Sequence, residues 1–196
     1  MFFSEKLSST LSKLKLVAFI LTVPSFMNAC STATNNMSVK PSAKELYLVN
    51  NPSKKALAKV DALIPKAMKW YDEVEKKLHQ KGRKLTEIEK KQAKQLGVKN
   101  PDAVRVVILK KFPEPSNRIP NNSHLEGARA MGNIIILKPH LKNNSIVLCH
   151  ELVHVAQKDR MGLKNFLRQM ALEKHILGYS KSLLENEAYV LQKTIM

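Results

Sequence analysis

The segment SIVLCHELVHVAQKDR, residues 145–160, is almost entirely apolar, yet it contains two histidines four residues apart and a glutamate directly after the first. A stretch that is apolar around nearly its whole circumference predicts a helix buried on every side. Asn144 or Ser145 could cap the start of this helix, and Gly162 follows its predicted end. The ionisable side chains need an explanation, because burying an isolated charge is costly.

His150-Glu151-Leu152-Val153-His154 has the pattern HExxH within that predicted helix. The spacing of four residues puts both imidazoles on one face, where two nitrogens can reach a single tetrahedral cation. Glu151 is rotated by about 100° from His150, so it can stand beside the ion and take a proton from a bound water. The pattern therefore predicts one Zn²⁺ ion bound by His150 and His154, with Glu151 as the catalytic residue. The competing interpretation is a pair of core histidines without a metal.

A catalytic zinc needs a third protein ligand and leaves one position for water. Four candidates follow the predicted metal helix, namely Glu173, His175, Glu185 and Glu187. The residues alone do not decide among them. Ser182 and Glu185 also form an S-x-x-E capping box, so Glu185 could simply cap the last helix. His175 would make a different class of site, and the predicted polar face of its helix would accept a histidine without a metal.

HELVH followed by a helix containing ENEAY resembles the gluzincin class of zinc metallopeptidases, in which a second helix supplies a glutamate ligand. The resemblance covers about residues 104–191 and suggests the compact, single-domain minigluzincin-like group. It implies Glu185 as the third ligand, with Glu187 in reserve. Tyr189 then stands where many members carry an aspartate that steadies a zinc histidine. Tyr179 could hydrogen-bond a developing oxyanion.

The same resemblance implies a peptidase that hydrolyses peptide or amide bonds in a peptide or protein substrate, with Glu151 activating a zinc-bound water. In zincins an edge strand beside the metal helix pairs with the substrate. The segment GNIIILKP, residues 132–139, is the candidate for that strand, and a plain core strand is the alternative interpretation. The alternative function is a non-catalytic, envelope-associated basic lipoprotein with a structural zinc site.

Residues 1–30 have the layout of a secretory signal, with three lysines, an apolar run over 16–23, and small residues before Cys30. The apolar run is shorter than the roughly 20 residues that a membrane-spanning helix needs. Residues 27–30, MNAC, also resemble a bacterial lipobox, which implies a lipid anchor on Cys30. We therefore expect an exported protein, either periplasmic or anchored to the bacterial envelope membrane as a lipoprotein. Ordinary secretion and a retained amphipathic helix are the alternatives.

The formal net charge of +17 would attract polyanions. Lysine is spread along the chain, however, without an arginine-rich run or interleaved aromatic residues. This pattern favours a solvated surface over a nucleic-acid groove. Nucleic acid is therefore not an expected partner, and nothing in the sequence indicates an oligomeric state.

Polar, breaker-rich residues predict a linker over 31–52, followed by a single domain over 53–196. A helical pattern runs from Ser53 to Gly82, and Thr86 and Glu89 form a capping box for a second helix that stops at Gly97. Strands are predicted over 103–109 and 133–137, and three helices follow them. The prediction is an α+β fold with a helical N-terminal region. By resemblance it is zincin-like, with a small sheet, the buried HExxH helix and a glutamate-bearing C-terminal helix.

Overall fold

The computed structural model of the chain describes residues 40–115 and 127–195, all of which belong to one compact unit. The predicted signal over 1–30, with Cys30, lies outside the described residues, as does the linker over 31–39. No helix in the described part of the chain is long and apolar enough to cross a membrane.

The described residues form helices and one four-stranded sheet, so the predicted α+β class is confirmed. The α-helices are α1 (Ala43–Asn50), α2 (Lys54–Asp61), α3 (Ile64–Leu78), α4 (Glu87–Gln95), α5 (Ser145–Met161), α6 (Leu163–Ile176) and α7 (Leu183–Leu191). The strands are β1 (Arg83–Lys84), β2 (Arg105–Ile108), β3 (Ala128–Met131) and β4 (Ile134–Leu137). A 3₁₀ turn, Tyr179–Lys181, joins α6 to α7.

The sheet has the order β1-β2-β4-β3, in which β2 and β4 are parallel and the other pairs are antiparallel. All four residues of β4 are buried, and they alternate between two apolar clusters. Ile135 and Leu137 pack with residues of α5, whereas Ile134 and Ile136 pack with residues of α3 and α6. Burial on both faces explains why β4 is continuously apolar rather than alternating.

The expectation that GNIIILKP forms an edge strand is wrong, because β4 pairs with β2 on one side and β3 on the other. Among the described residues the edge strand on this side is β3, which packs against α5. Its sequence, ARAM, has neither β-branched residues nor clear alternation, so the pattern did not predict it. β3 forms through its hairpin with β4, and Gly132 in the two-residue turn has a positive φ of 66° that favours glycine.

The predicted linker contains a helix, since α1 (Ala43–Asn50) lies inside the range 31–52. Ser42 and Glu45 form a capping box at its start, in which their side chains accept hydrogen bonds from backbone N–H groups. In an unstructured linker these N–H groups would donate to water instead. α1 packs against α6, and the Glu45 carboxylate accepts a 2.7 Å hydrogen bond from the Lys181 ammonium group. This part of the linker prediction is therefore wrong, because tertiary packing stabilises a helix too short to persist alone.

The helical pattern predicted from Ser53 is divided between α2 and α3. Pro65 is the second residue of α3, where a proline is tolerated. It lacks an N–H, and its ring would clash with the carbonyl of Asp61 four residues earlier in a continuous helix, so α2 ends there. The predicted capping box of α4 is confirmed, and Gly97 ends that helix with a φ of 93°.

Candidate metal centre

Helix α5 brings His150 and His154 together in the interior of the domain. Asn144, one of the two capping residues that the sequence allowed, caps the helix by accepting a hydrogen bond from the Val147 N–H. The four-residue spacing then places the two rings on one face, with their Nε2 atoms 3.2 Å apart. Both side chains are 8% exposed, so the pair lies just below the surface.

Helix α7 presents Glu185 to the same point. Its Oε2 atom lies 3.4 Å from Nε2 of His150 and 3.6 Å from Nε2 of His154. That oxygen is buried and has no hydrogen-bond partner, and a buried acceptor left unpaired normally costs free energy. Among the described residues, these three side chains are the one group of at least three His, Cys, Asp or Glu whose ligand atoms all lie within 4.8 Å of one another. The group could therefore hold a metal ion.

Two glutamines orient the histidine rings. Oε1 of Gln192 lies 3.0 Å from Nδ1 of His150, and Oε1 of Gln157 lies 2.8 Å from Nδ1 of His154. The Gln157 amide nitrogen donates to the Leu184 carbonyl, which fixes its oxygen toward His154. Because an amide oxygen only accepts, each Nδ1 carries the proton, and each Nε2 offers its lone pair to a metal.

The sequence did not predict either glutamine. Gln157 is completely buried, and it is the first polar residue after the apolar part of α5. Its position three residues after His154 was the available signal, because residues three apart on a helix are neighbours. Gln192 follows α7, and only the packing of α7 against α5 brings it to His150. No local pattern could have indicated that contact.

The reserve ligand Glu187 does not belong to the cluster. Its carboxylate forms a bidentate ion pair with Arg160, with both distances 2.8 Å, and accepts a 3.0 Å hydrogen bond from Gln157.

Tyr189 lies against the His150 ring, with ring centroids 4.7 Å apart. The Nδ1 atoms of both histidines face glutamine oxygens, so the expectation that the Tyr189 hydroxyl steadies one of them through a hydrogen bond is corrected. The Tyr189 ring instead packs against the imidazole ring of His150.

Tyr179 lies in the 3₁₀ turn before α7 and is 49% exposed. Burial of the hydroxyl and the neighbouring Glu185 charge raise the pKa of Tyr179 well above its ordinary value. Burial and the Glu185 charge also raise the pKa of Tyr189. Both hydroxyls therefore stay protonated and can donate hydrogen bonds at any ordinary pH.

The charges of the cluster depend on one another. Burial alone would lower the pKa of His154, but Glu185 and Glu151 outweigh it and raise this pKa to about 9. Burial would likewise raise the pKa of Glu185, whereas the two histidines hold it well below its ordinary range. Glu151 is only 5% exposed, and its charge contributes to the raised pKa values of His154, Tyr179 and Tyr189. Its carboxylate therefore acts electrostatically on the cluster.

The two remaining candidate ligands lie outside the cluster. Glu173 is 1% exposed and accepts hydrogen bonds from Gln169, Ser182 and the Leu184 N–H. His175 is exposed near the end of α6. Neither side chain belongs to the group that could hold a metal.

No protein-family model matches the chain, and neither a curated protein nor a solved structure matches it. The resemblance to gluzincins therefore rests on the HELVH and ENEAY segments themselves. The structure adds one observation to this resemblance. The two histidines of HELVH and Glu185 of ENEAY lie close together in the fold.

Proposed function

We propose that the chain is a zinc-dependent metallopeptidase of the gluzincin type, with a zincin-like arrangement of helices and sheet. The protein ligands of its single Zn²⁺ ion would be His150, His154 and Glu185. The observation that carries the proposal is the convergence of two Nε2 atoms on a buried carboxylate oxygen that lacks a hydrogen-bond partner. Two imidazole nitrogens and one carboxylate oxygen are the donor set of known catalytic zinc sites.

The exposure of the side chains favours a catalytic site over a closed structural one. His150 and His154 are each 8% exposed and Glu185 is 7% exposed, whereas the orienting Gln157 is 0% exposed. The three ligand residues are therefore buried but not completely, as is the second orienting residue, Gln192, at 8%. A catalytic zinc site keeps one position open to water, and a structural site usually closes all four with protein atoms.

Zinc at this point would supply Lewis acidity, lowering the pKa of a bound water to about 7 and polarising the substrate carbonyl. Glu151 is the general base of the proposal, because it follows His150 directly and its charge acts on the cluster. It would accept the proton of the attacking water and return it to the leaving amine. Tyr179, protonated and half-exposed, could donate a hydrogen bond to the developing oxyanion.

The proposed substrate is a peptide or protein bound in extended form along β3. This strand packs against α5 and is an edge of the sheet among the described residues. An edge strand offers backbone donors and acceptors to a substrate chain. The internal strand β4 cannot do so, since both of its edges are already paired.

Export belongs to the same proposal and is supported by the sequence of residues 1–30 alone. A periplasmic enzyme, or one anchored to the envelope membrane through Cys30, would meet peptide or amide bonds of envelope polymers and proteins. The alternative function is a non-catalytic basic lipoprotein with a structural zinc site. It predicts that replacing Glu151 leaves the function of the protein unchanged.

The decisive experiment compares the wild-type chain with Glu151→Gln after loading with zinc. Cleavage of a mixture of unblocked peptides is followed by mass spectrometry, and bound zinc is measured by elemental analysis. We expect Glu151→Gln to bind one zinc ion and to cleave at least about 100-fold more slowly, since general base catalysis contributes about 10²–10⁴-fold.

The matched control is Asp159→Asn, which removes an acid from the same helix outside the cluster. Asp159 accepts a hydrogen bond from the Lys99 N–H, and an asparagine oxygen can keep that bond. This variant should cleave at the wild-type rate. A zinc-loaded wild type without cleavage, or equal cleavage by wild type and Glu151→Gln, would overturn the peptidase proposal.

A further inference from the structure

Three helices of this chain begin with the same short pattern, a serine or threonine followed three residues later by a glutamate. The pairs are Ser42 and Glu45 at α1, Thr86 and Glu89 at α4, and Ser182 and Glu185 at α7. In the first two helices the glutamate turns back and accepts a 2.7 Å hydrogen bond from the N–H of the capping residue. These two helices therefore have complete capping boxes.

Helix α7 departs from that arrangement. The Ser182 hydroxyl accepts the Glu185 N–H at 3.4 Å, as in a capping box. The Ser182 N–H, however, donates to the Tyr179 carbonyl at 3.1 Å, so it needs no glutamate. The Glu185 carboxylate accordingly does not turn back, and its Oε2 faces His150 and His154.

A different acid caps α7. Glu173, near the end of α6, accepts a 2.7 Å hydrogen bond from the Ser182 hydroxyl and a 3.0 Å hydrogen bond from the Leu184 N–H, both at Oε2. Its Oε1 accepts a 2.8 Å hydrogen bond from Gln169. At 1% exposure this carboxylate has little access to water, so these three donors provide its solvation. It also lies at the positive end of the α7 dipole.

We propose that Glu173 is a positioning residue of the metal site, which holds the first turn of α7 through the Ser182 hydroxyl and the Leu184 N–H and so keeps the Glu185 carboxylate facing the two histidines. This inference rests on the proposed metal-binding function. Without the Glu173 carboxylate, the Leu184 N–H and the Ser182 hydroxyl lose their acceptor. Glu185 belongs to the same turn, so without these hydrogen bonds its carboxylate would no longer be held at a fixed position facing His150 and His154.

The test measures metal affinity in Glu173→Met, which keeps the length of the side chain and removes both acceptor oxygens. Zn²⁺ binding is titrated against a competing chelator, and Co²⁺ binding is followed by its visible absorption, which reports the ligands and their geometry. We expect roughly 10-fold to 100-fold weaker Zn²⁺ binding, the range found for residues that orient metal ligands. The Co²⁺ spectrum should change as well.

Glu89→Met is the matched control, because it removes a helix-capping carboxylate that lies outside the cluster. Glu89 accepts from the Thr86 N–H and pairs with Arg83 at the start of α4. This variant should keep the wild-type affinity and Co²⁺ spectrum even if its unfolding temperature falls. Equal loss of affinity in both variants would mean general destabilisation and would overturn the positioning role.

A double-mutant cycle separates action through Glu185 from any other effect. Glu185→Ala should bind metal weakly through the two histidines, and adding Glu173→Met should then change the affinity less than about twofold. Glu173→Gln, which keeps one acceptor oxygen and removes only the charge, is the second variant if Glu173→Met does not fold. It should weaken binding in the same direction.

The outcomes distinguish this inference from the proposed function. A wild-type chain that binds no Zn²⁺ or Co²⁺ would overturn the metal site itself. A wild type that binds one ion, together with unchanged affinity and an unchanged Co²⁺ spectrum in Glu173→Met, would overturn the positioning role alone. A full additional loss in the Glu185→Ala background would also overturn it.

Discussion

The Nε2 atoms of His150 and His154 lie 3.2 Å apart. Each ring is held in this orientation by a glutamine oxygen at its Nδ1. Two nitrogen lone pairs at this separation repel each other unless a proton or a metal cation lies between them. The carboxylates of Glu185 and Glu151 raise the pKa of His154 to about 9, which favours a proton on this ring at neutral pH. A metal ion bound by the two Nε2 atoms would take the place of that proton.

The first prediction concerns the identity of the third ligand. Glu185→Ala should lower zinc affinity by at least about 100-fold, because it removes an anionic ligand from the site. Glu187→Ala should keep one bound zinc ion per chain, since Glu187 is paired with Arg160 and does not face the histidines. Elemental analysis after dialysis against a weak chelator measures both. Loss of zinc in Glu187→Ala alone would contradict the assignment of Glu185.

The sequence predicted the three residues of the HExxH pattern, although it missed Gln157 on the same helix. His150, Glu151 and His154 are ordered by the period of one helix, so their relation could be read without knowing the fold. Glu185 required the resemblance to a family, because its approach depends on how α7 packs against α5. Gln192 was missed for the same reason, and it lies beyond the end of α7.

Elements that depend on tertiary partners were also the ones missed in the fold. α1 contains only eight residues, and docking on α6 together with the pair formed by Glu45 and Lys181 stabilises it. β3 has no strand-like pattern and forms as the partner of β4. By contrast, β4 was predicted as a strand from its apolar, β-branched composition. Its position between β2 and β3 depends on strand pairing, which the composition of one segment does not specify.

The second prediction tests the stop signal of α4. Gly97 has a φ of 93°, and an added Cβ would come no closer than 3.9 Å to Ala156, so space is not limiting. Gly97→Ala should therefore lower the free energy of unfolding by about 1–2 kcal/mol through backbone strain alone. Gly97→Asn should cost less, because asparagine adopts this conformation more readily. Urea unfolding measures both, and an asparagine variant less stable than the alanine variant would contradict the explanation.

The third prediction concerns acid and the docking of α1. Hydrogen bonds from Lys181 and Ser42 lower the pKa of Glu45 from 4.5 to about 2. A lowered pKa means that this contribution to stability is present above pH 4.5 and is lost as the pH falls toward 2. The difference in unfolding temperature between wild type and Glu45→Gln should therefore be largest near neutral pH and shrink across that interval. A difference that stays constant down to pH 2 would contradict the assignment.

The last prediction tests which side chain, Gln192 or Tyr189, orients the His150 ring. Gln192→Ala removes the oxygen at Nδ1 of His150 and should weaken zinc binding about 10-fold or more, because the ring loses its orientation. Tyr189→Phe keeps the ring that lies against His150 and removes only the hydroxyl, so its zinc affinity should change less than about threefold. Chelator competition measures both variants. If the phenylalanine variant lost affinity and the alanine variant did not, Tyr189 would be the partner that steadies His150.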